Sequence, residues 1–219
     1  MKKLLLASVF VLAVGPALAD AITVVAKVDG STVAVESSAD GNLNVSSQAF
    51  GPIFNLNSLS INSEAFLASP DLLSTNTLDV NQTLGGTHQL TIDIVATGLT
   101  GPGSIEALLS SFSVSGLTAG WNAREQTFIN GNPLADTGVF TNTSDSAFSI
   151  NLANVTNPFS AEVLYTINSV GTGRFNGGID ISAAAVPGPI VGAGLPGLMA
   201  AFSFFGLNRF RRRKQTTAA

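Results

Sequence analysis

Apolar and polar residues alternate along most of this chain between residue 20 and residue 185. In Leu90–Ala96 every second residue is apolar, and the residues between them are polar apart from Val95. A period of two indicates a half-buried β-strand, because successive side chains of a strand point to opposite faces of its sheet. Similar segments predict strands in seven further places: Ile22–Val28, Thr32–Glu36, Phe112–Val114, Ala123–Ile129, Phe148–Leu152, Ala161–Ile167 and Ile179–Ile181.

Segments rich in glycine and asparagine separate these strands. They predict turns at Gly98–Gly103, Gly116–Trp121, Asn176–Gly178 and Asp40–Asn42. Many short strands joined by turns are typical of mainly β proteins, and we expect an antiparallel β-sandwich of the jelly-roll type. One short helix is predicted at Ser63–Ser69, because Pro70 ends the pattern there.

The fold class also predicts where the large side chains go. In a sandwich Ile, Leu, Val and Phe fill the inner faces, whereas Ser, Thr and Asn line the outer faces. We therefore expect Phe148, Ile150 and Leu152 to lie in the core, since serine and asparagine alternate with them. Trp121 is expected to cover one end of the sandwich as an anchor. The alternative is a ring that stacks on a carbohydrate.

The first 19 residues have the three parts of a secretory signal peptide. Lys2 and Lys3 are followed by the apolar run Leu4–Val14 and then by Ala17-Leu18-Ala19. Small residues at Ala17 and Ala19 are typical of the cleavage positions, so we expect export by the Sec pathway and cleavage before Asp20. A buried core helix would explain neither the paired lysines nor the spaced alanines.

The C-terminal region predicts a membrane anchor. Ile190–Leu207 contains no ionisable residue, and at about 1.5 Å per residue such a helix spans about 27 Å, close to the hydrocarbon thickness of a bilayer. A basic cluster follows it: Arg209, Arg211, Arg212, Arg213 and Lys214. Basic residues stay on the cytoplasmic side, so residues 20–185 should form an ectodomain. A glycine-rich loop with a buried helix would leave the cluster without a partner.

Within this region Gly192–Gly197 matches G-x-G-x-x-G, the glycine pattern of dinucleotide-binding folds. That pattern needs a strand before it and an acidic residue about 20 positions later. Here Pro187 and Pro189 precede it, and no acidic residue follows. The match is therefore interpreted as a coincidence, and no cofactor is expected.

The C-terminal arrangement resembles the PEP-CTERM sorting signal of Gram-negative bacteria. Val186, Pro187 and Pro189 match its short proline motif, and Gly188 stands where the usual glutamate lies, as in a V-P-G-P variant. The membrane helix and basic cluster complete the signal over residues 186–214, leaving a tail at 215–219. The resemblance implies recognition, and cleavage, by an exosortase-type membrane enzyme. The body from Leu90 to Pro189 is similar to PEP-CTERM proteins of unknown function, which implies a secreted β-rich domain.

Charge and composition exclude several classes of binding partner and site. All 14 acidic residues lie between Asp20 and Asp180, where three basic residues leave a net charge of −11. Such a surface repels phosphates, so nucleic acid is not expected as a partner. The chain has no Cys, which excludes disulfides, a Cys nucleophile and thiolate metal sites, and no metal site is expected.

Candidate catalytic residues are few. His88 is the only histidine, so a Ser-His-Asp triad would have to include it. We interpret it as a solvent-exposed histidine at a strand edge. Paired carboxylates for glycoside hydrolysis remain open, because many acidic residues are available and none is marked by its surroundings.

We therefore expect a surface or extracellular-matrix protein with a structural or interaction role and no catalytic residues. It would pass through an inner-membrane-anchored intermediate to the cell surface, with an exosortase-like enzyme and exopolysaccharide as partners. Two alternatives remain: a carbohydrate-active or other hydrolytic enzyme on the same fold, and a single-pass membrane protein whose tail is never cut.

Overall fold

The structure, a computed structural model, describes residues 21–64 and 71–184. The chain divides into two units, Met1–Ala184 and Ala185–Ala219, and both described ranges belong to the first. These ranges contain strands and no α-helix, and every strand pair is antiparallel. A helix able to cross a membrane is accordingly not found within them.

Twelve strands form two six-stranded sheets. In chain order they are β1 (Ala21–Val28), β2 (Ser31–Ser38), β3 (Asn42–Phe50), β4 (Phe54–Ser63), β5 (Asp71–Gln82), β6 (Thr87–Leu99), β7 (Ile105–Val114), β8 (Asn122–Ile129), β9 (Asn132–Asp136), β10 (Asp145–Asn154), β11 (Phe159–Val170) and β12 (Gly173–Ala183). Sheet A has the order β2-β1-β6-β11-β8-β9, and sheet B has the order β10-β7-β12-β5-β4-β3. The mainly β, antiparallel prediction is confirmed.

The inner faces of both sheets contribute to one buried apolar cluster. On β6 and β11 every second residue is fully buried, as the alternation predicts: Leu90, Ile92, Ile94 and Ala96, then Ala161, Val163, Tyr165 and Ile167. A hydrogen bond of 2.8 Å between the hydroxyls of Ser110 (β7) and Thr127 (β8) joins the two sheets. Burial of this apolar surface is the main stabilising contribution, at about 25 cal/mol per Å².

Strand β10 contradicts the predicted core. Phe148, Ile150 and Leu152 are 78%, 59% and 74% exposed, while the serine and asparagine between them are half-buried. The register explains the orientation, because Ser149 lies opposite the buried Ser110 of β7. Alternation predicts that one face of a strand differs from the other, but the pairing with β7 decides which face points inward.

Four strands, β3, β4, β5 and β9, have no counterpart in the sequence prediction. The alternation of β5 is broken by a register shift against β4 between Ser60 and Ile61. As a result the buried positions change parity along β5, from Leu73 and Thr75 to Leu78 and Val80. A bulge of this kind inserts an extra residue and hides the period of two.

Several predicted boundaries also change. Gly98 belongs to β6, so the turn before β7 starts later than predicted, and Asn176–Gly178 lies inside β12. The turn at Asp40–Asn42 is confirmed, with the backbone N–H of Asn42 donating to the Asp40 carboxylate at 3.2 Å. The predicted helix is wrong at Ser63, which belongs to β4. Its residues 65–69 lie outside the described ranges, as do the signal peptide, the sorting motif, the membrane segment and the basic cluster.

Candidate functional site

The outer face of sheet B carries a shallow groove of about 210 Å³. It crosses β5, β12 and β7, which lie side by side in the middle of the sheet. Its lining is mostly small and polar: Ser74, Thr75, Asn76, Ser111, Phe112, Ser113, Gly178, Ile179 and Asp180. The groove therefore offers hydroxyl, amide and carboxyl groups on a flat surface.

A row of polar residues runs through this groove and beyond it. Asp180 on β12 lies opposite Ser111 of β7 on one side and Ser74 of β5 on the other. The row continues with Asn62 of β4 and Asn42 of β3. Directly opposed residues of antiparallel strands share a face and interact with one another. The row is suited to hydrogen bonding with a ligand that carries many hydroxyls.

A bulge and a glycine shape the floor of the groove. The register of β12 against β5 shifts between Gly177 and Ile179, opposite Asn76 and Thr77. A Cβ atom added to Gly178 would lie 2.7 Å from the backbone carbonyl oxygen of Thr75. The bulged strand β5 thus approaches β12 so closely that only glycine fits at position 178. No side chain at this position fills the floor of the groove.

Asp180 is the carboxyl group of the groove. Burial and the nearby Asp71 raise its pKa to about 6, although the hydroxyls of Ser182 and Ser74 act in the opposite direction. Its Oδ1 atom is buried and accepts no hydrogen bond from the described residues. A buried oxygen without a donor is unfavourable, and it adds to the penalty on the charged form of Asp180.

Beneath the groove, Thr75 connects the two sheets. Its hydroxyl is hydrogen-bonded to the hydroxyl of Tyr165 on β11. It also accepts from the backbone N–H of Ile179 at 2.8 Å and donates to the Ile179 carbonyl at 3.0 Å. These bonds hold the bulge of β5 against β12 and keep the groove floor in place.

Glu125 on β8 lies in the interior next to this connection. It is opposite Tyr165 in the sheet register and is 0% exposed. Neither carboxyl oxygen has a hydrogen-bond partner among the described residues. Burial raises the pKa of Glu125 to about 9, so the group is protonated at neutral pH. A carboxyl group enclosed in the core has no access to a ligand.

His88 lies near the start of β6, opposite Ser169 of β11, whereas the register of β6 with β1 begins only at Leu90. At this residue β6 is therefore paired on one side only, which agrees with the predicted strand-edge position. Its side chain is 20% exposed, and its Nδ1 atom lies 2.8 Å from a carboxylate oxygen of Asp29. Within the described ranges no hydroxyl bonds to the ring. Ser169 instead donates to the backbone carbonyl of His88 at 2.9 Å. The acid of a triad is therefore present, whereas a serine at the ring is absent from the described part of the chain.

Trp121 lies just before β8 and is 1% exposed. Its Nε1–H donates to the carbonyl of Val170 at 3.2 Å. Its ring contacts Phe54 edge-on, with centroids 6.5 Å apart and planes at 80°. Stacking on a sugar requires an exposed ring face, so this environment favours the anchor interpretation.

Two further carboxyl groups lie on the outer face of sheet A. Burial raises the pKa of Asp93, although the nearby charge of Lys27 acts in the opposite direction. The pKa of Glu162 is also raised, mainly by burial and to a smaller extent by the charge of Asp93. Nowhere in residues 21–64 and 71–184 do three His, Asp or Glu side chains come close enough to hold a metal ion. The predicted sorting residues, Val186–Pro189 and Arg209–Lys214, and the cleavage alanines Ala17 and Ala19 lie outside these ranges.

Comparison with known proteins identifies no family. No family model matches the chain, and no curated protein matches it. Among solved structures it is similar to the carbohydrate-binding module TmCBM61, solved with β-1,4-galactotriose, at 10% identity and a TM-score of 0.34 over 60% of this chain and 87% of that one. It is also similar to the GH31 α-xylosidase of Xanthomonas citri, at 8% identity and a TM-score of 0.25 over 74% of this chain and 16% of that one. Similarities with such low TM-scores do not indicate a function for this chain.

Proposed function

We propose that this chain is an exported surface or extracellular-matrix protein of a Gram-negative bacterium, with a non-catalytic binding or structural role. Residues 1–19 direct export, and residues 186–214 hold the chain in the inner membrane until an exosortase-type enzyme acts at Val186–Pro189. The two antiparallel sheets form a β-sandwich of the jelly-roll type, and this domain then reaches the cell surface or the exopolysaccharide.

The polar row across sheet B is the observation that carries the binding role. Around Asp180 the groove presents serine hydroxyls and an asparagine amide, and none of the described residues that line it is basic. Neutral hydrogen-bonding groups with one carboxyl suit a polyhydroxylated ligand better than an anionic one. We therefore place exopolysaccharide contact at this groove.

Replacing Asp180 by asparagine tests this placement. We expect D180N to weaken binding to the exopolysaccharide of the native host about tenfold, because hydrogen bonds to a charged group contribute about 1.5–3 kcal/mol. Wild-type affinity should also rise as the pH increases through about 6, where Asp180 ionises, while the affinity of D180N stays level. Co-sedimentation with the polysaccharide between pH 5 and pH 8 measures both effects.

Asp93→Asn is the matched control, because Asp93 is a half-buried carboxyl with a raised pKa on the outer face of the other sheet. We expect D93N to bind like the wild type at each pH. Equal losses in both variants would show that net charge, and not the groove, governs the interaction. Shortening of the polysaccharide by the wild type but not by D180N would instead favour the hydrolytic alternative.

The sorting part of the proposal is tested by the mass of the mature protein. We expect the chain isolated from the surface of its native host to begin at Asp20 and to lack Arg213, because both topogenic segments are removed. Intact-mass spectrometry distinguishes this product from the full chain of 22.4 kDa. A mature chain that still contains Arg213 would contradict processing and favour a permanent single-pass membrane protein.

A further inference from the structure

The two sheets expose four edge strands, β2 and β9 in sheet A and β10 and β3 in sheet B. An edge strand presents unpaired backbone N–H and C=O groups, and most proteins protect such edges with charges, proline, bulges or short strands. The four edges of this domain differ sharply in that respect.

Three of the edges carry such protection. Strand β9 has five residues and contains Pro133. Strand β3 has a positive φ of 53° at Ser47, which is missing from the register with β4. Strand β2 contains Glu36, and its register against β1 shifts beside Ala34. Each feature opposes continued pairing with another strand.

Strand β10 has no proline and no bulge, and its one charged residue, Asp145, is its first. Its ten residues pair with β7 in an unbroken register, and no charged residue, glycine or proline follows Asp145 within it. No described strand pairs with its other side. Its outer face exposes Phe148, Ile150 and Leu152, and Ile105 beside it on β7 is 68% exposed. A long apolar edge whose only charge lies at its first residue is a surface for strand addition.

The sequence of β10 is also symmetric about Ile150. Phe148 and Leu152 are apolar, Ser149 and Asn151 are polar, and alanines stand at the third position on each side. Two copies of β10 paired antiparallel about a two-fold axis at Ile150 would therefore place apolar opposite apolar and polar opposite polar. Such cross-strand pairs stabilise a sheet by about 0.2–1 kcal/mol each.

We propose that a second copy of this chain binds at β10, joining the two B sheets into one continuous twelve-stranded sheet. Ile150 lies opposite Ile150 of the second copy, and Phe148 lies opposite its Leu152. A depression of about 300 Å³ beside Leu152, lined also by Pro133 and Leu134, receives the edge of that phenylalanine ring. Because the described part of each molecule has one unprotected edge, the two copies form a closed pair and not a fibre.

Single cysteines test the register, since the chain contains no Cys. In the full chain purified in mild detergent, we expect Ile150→Cys to form a disulfide-linked dimer on mild oxidation. Directly opposed strand residues lie about 4.5–5.5 Å apart, within disulfide range. Phe148→Cys alone should not cross-link, because its two copies are about 14 Å apart along the strands. A mixture of F148C and L152C should cross-link.

Val139→Cys is the control for random collision, because Val139 is 60% exposed, like Ile150, but lies outside β10. We expect cross-linking of I150C to exceed that of V139C about tenfold, as for any pre-associated pair. Equal yields of cross-linked dimer from I150C and V139C would overturn the proposal. So would an equal yield from F148C alone and from its mixture with L152C.

Charge substitutions at Ile150 give an independent measurement by sedimentation. I150D and I150K should each be monomeric, because like charges would face each other across the two-fold axis, whereas their mixture should recover the dimer. A wild-type chain that stays monomeric up to its solubility limit would contradict the proposal. So would a mixture that sediments no differently from the single variants.

Discussion

Replacing Glu125 by glutamine should stabilise the protein by about 3 kcal/mol at pH 7 and by nothing at pH 4.5. The folded state raises the pKa of this carboxyl from its ordinary value of 4.5 to about 9, because burial penalises the charged form. Between these values the folded protein holds a proton that the unfolded chain releases. The contribution of Glu125 to stability is therefore complete below pH 4.5 and is lost as the pH rises towards 9.

The size of the effect follows from the interval between 4.5 and 7. Within this interval each pH unit lowers the free energy of unfolding of the wild type by about 1.4 kcal/mol, which gives about 3 kcal/mol at pH 7. Glutamine has nearly the same shape but cannot ionise, so the loss disappears in E125Q. Urea unfolding of both proteins from pH 4.5 to pH 8 measures the difference in the free energy of unfolding.

Glu106→Gln on β7 is the control for E125Q, because Glu106 is partly exposed at a strand end. We expect E106Q to change the free energy of unfolding by less than about 0.5 kcal/mol at every pH, as is usual for surface substitutions. A difference between E125Q and the wild type that does not grow with pH would contradict a dry, protonated Glu125.

Replacing Trp121 by alanine should destabilise the protein by about 3–5 kcal/mol, the usual cost of removing a large buried aromatic side chain. The variant loses the edge-on contact with Phe54 and leaves the carbonyl of Val170 without its indole donor. Thermal or urea unfolding followed by circular dichroism measures the loss. Circular dichroism is used because Trp121 is the only tryptophan of the chain, so W121A has no tryptophan fluorescence to follow.

Trp121→Phe separates the two interpretations of this residue. It keeps an aromatic ring in the core and should cost much less than W121A, with about 1 kcal/mol from the lost hydrogen bond. If Trp121 is an anchor, W121F binds exopolysaccharide like the wild type, and ligand leaves the wild-type fluorescence unchanged. A quenched or shifted emission on adding the polysaccharide would support the stacking alternative.

Much of the fold could be predicted from alternation, and the failures have identifiable causes. The buried positions of β6 and β11 follow directly from the pattern because the two strands keep an unbroken register between Ser160–Val170 and Thr87–Thr97 and lie inside sheet A. Strand β5 was hidden by its bulge, and β9 by its length and its proline. The groove carries no sequence signal beyond outward-facing serines, because Asp180 becomes its central carboxyl only through pairing with β7 and β5.

The sequence by itself determined the secondary-structure class, the acidic character of the body and the topogenic pattern expected at the two ends, because these depend on local order and composition. The tertiary structure alone decided which face of β10 points outward, since strand register and not alternation sets that choice. Among the residues that the structure describes, it also enclosed Glu125 without a hydrogen-bond partner and placed a carboxylate, but no hydroxyl, at the ring of His88. These placements depend on strands that are distant in sequence, and no local pattern records them.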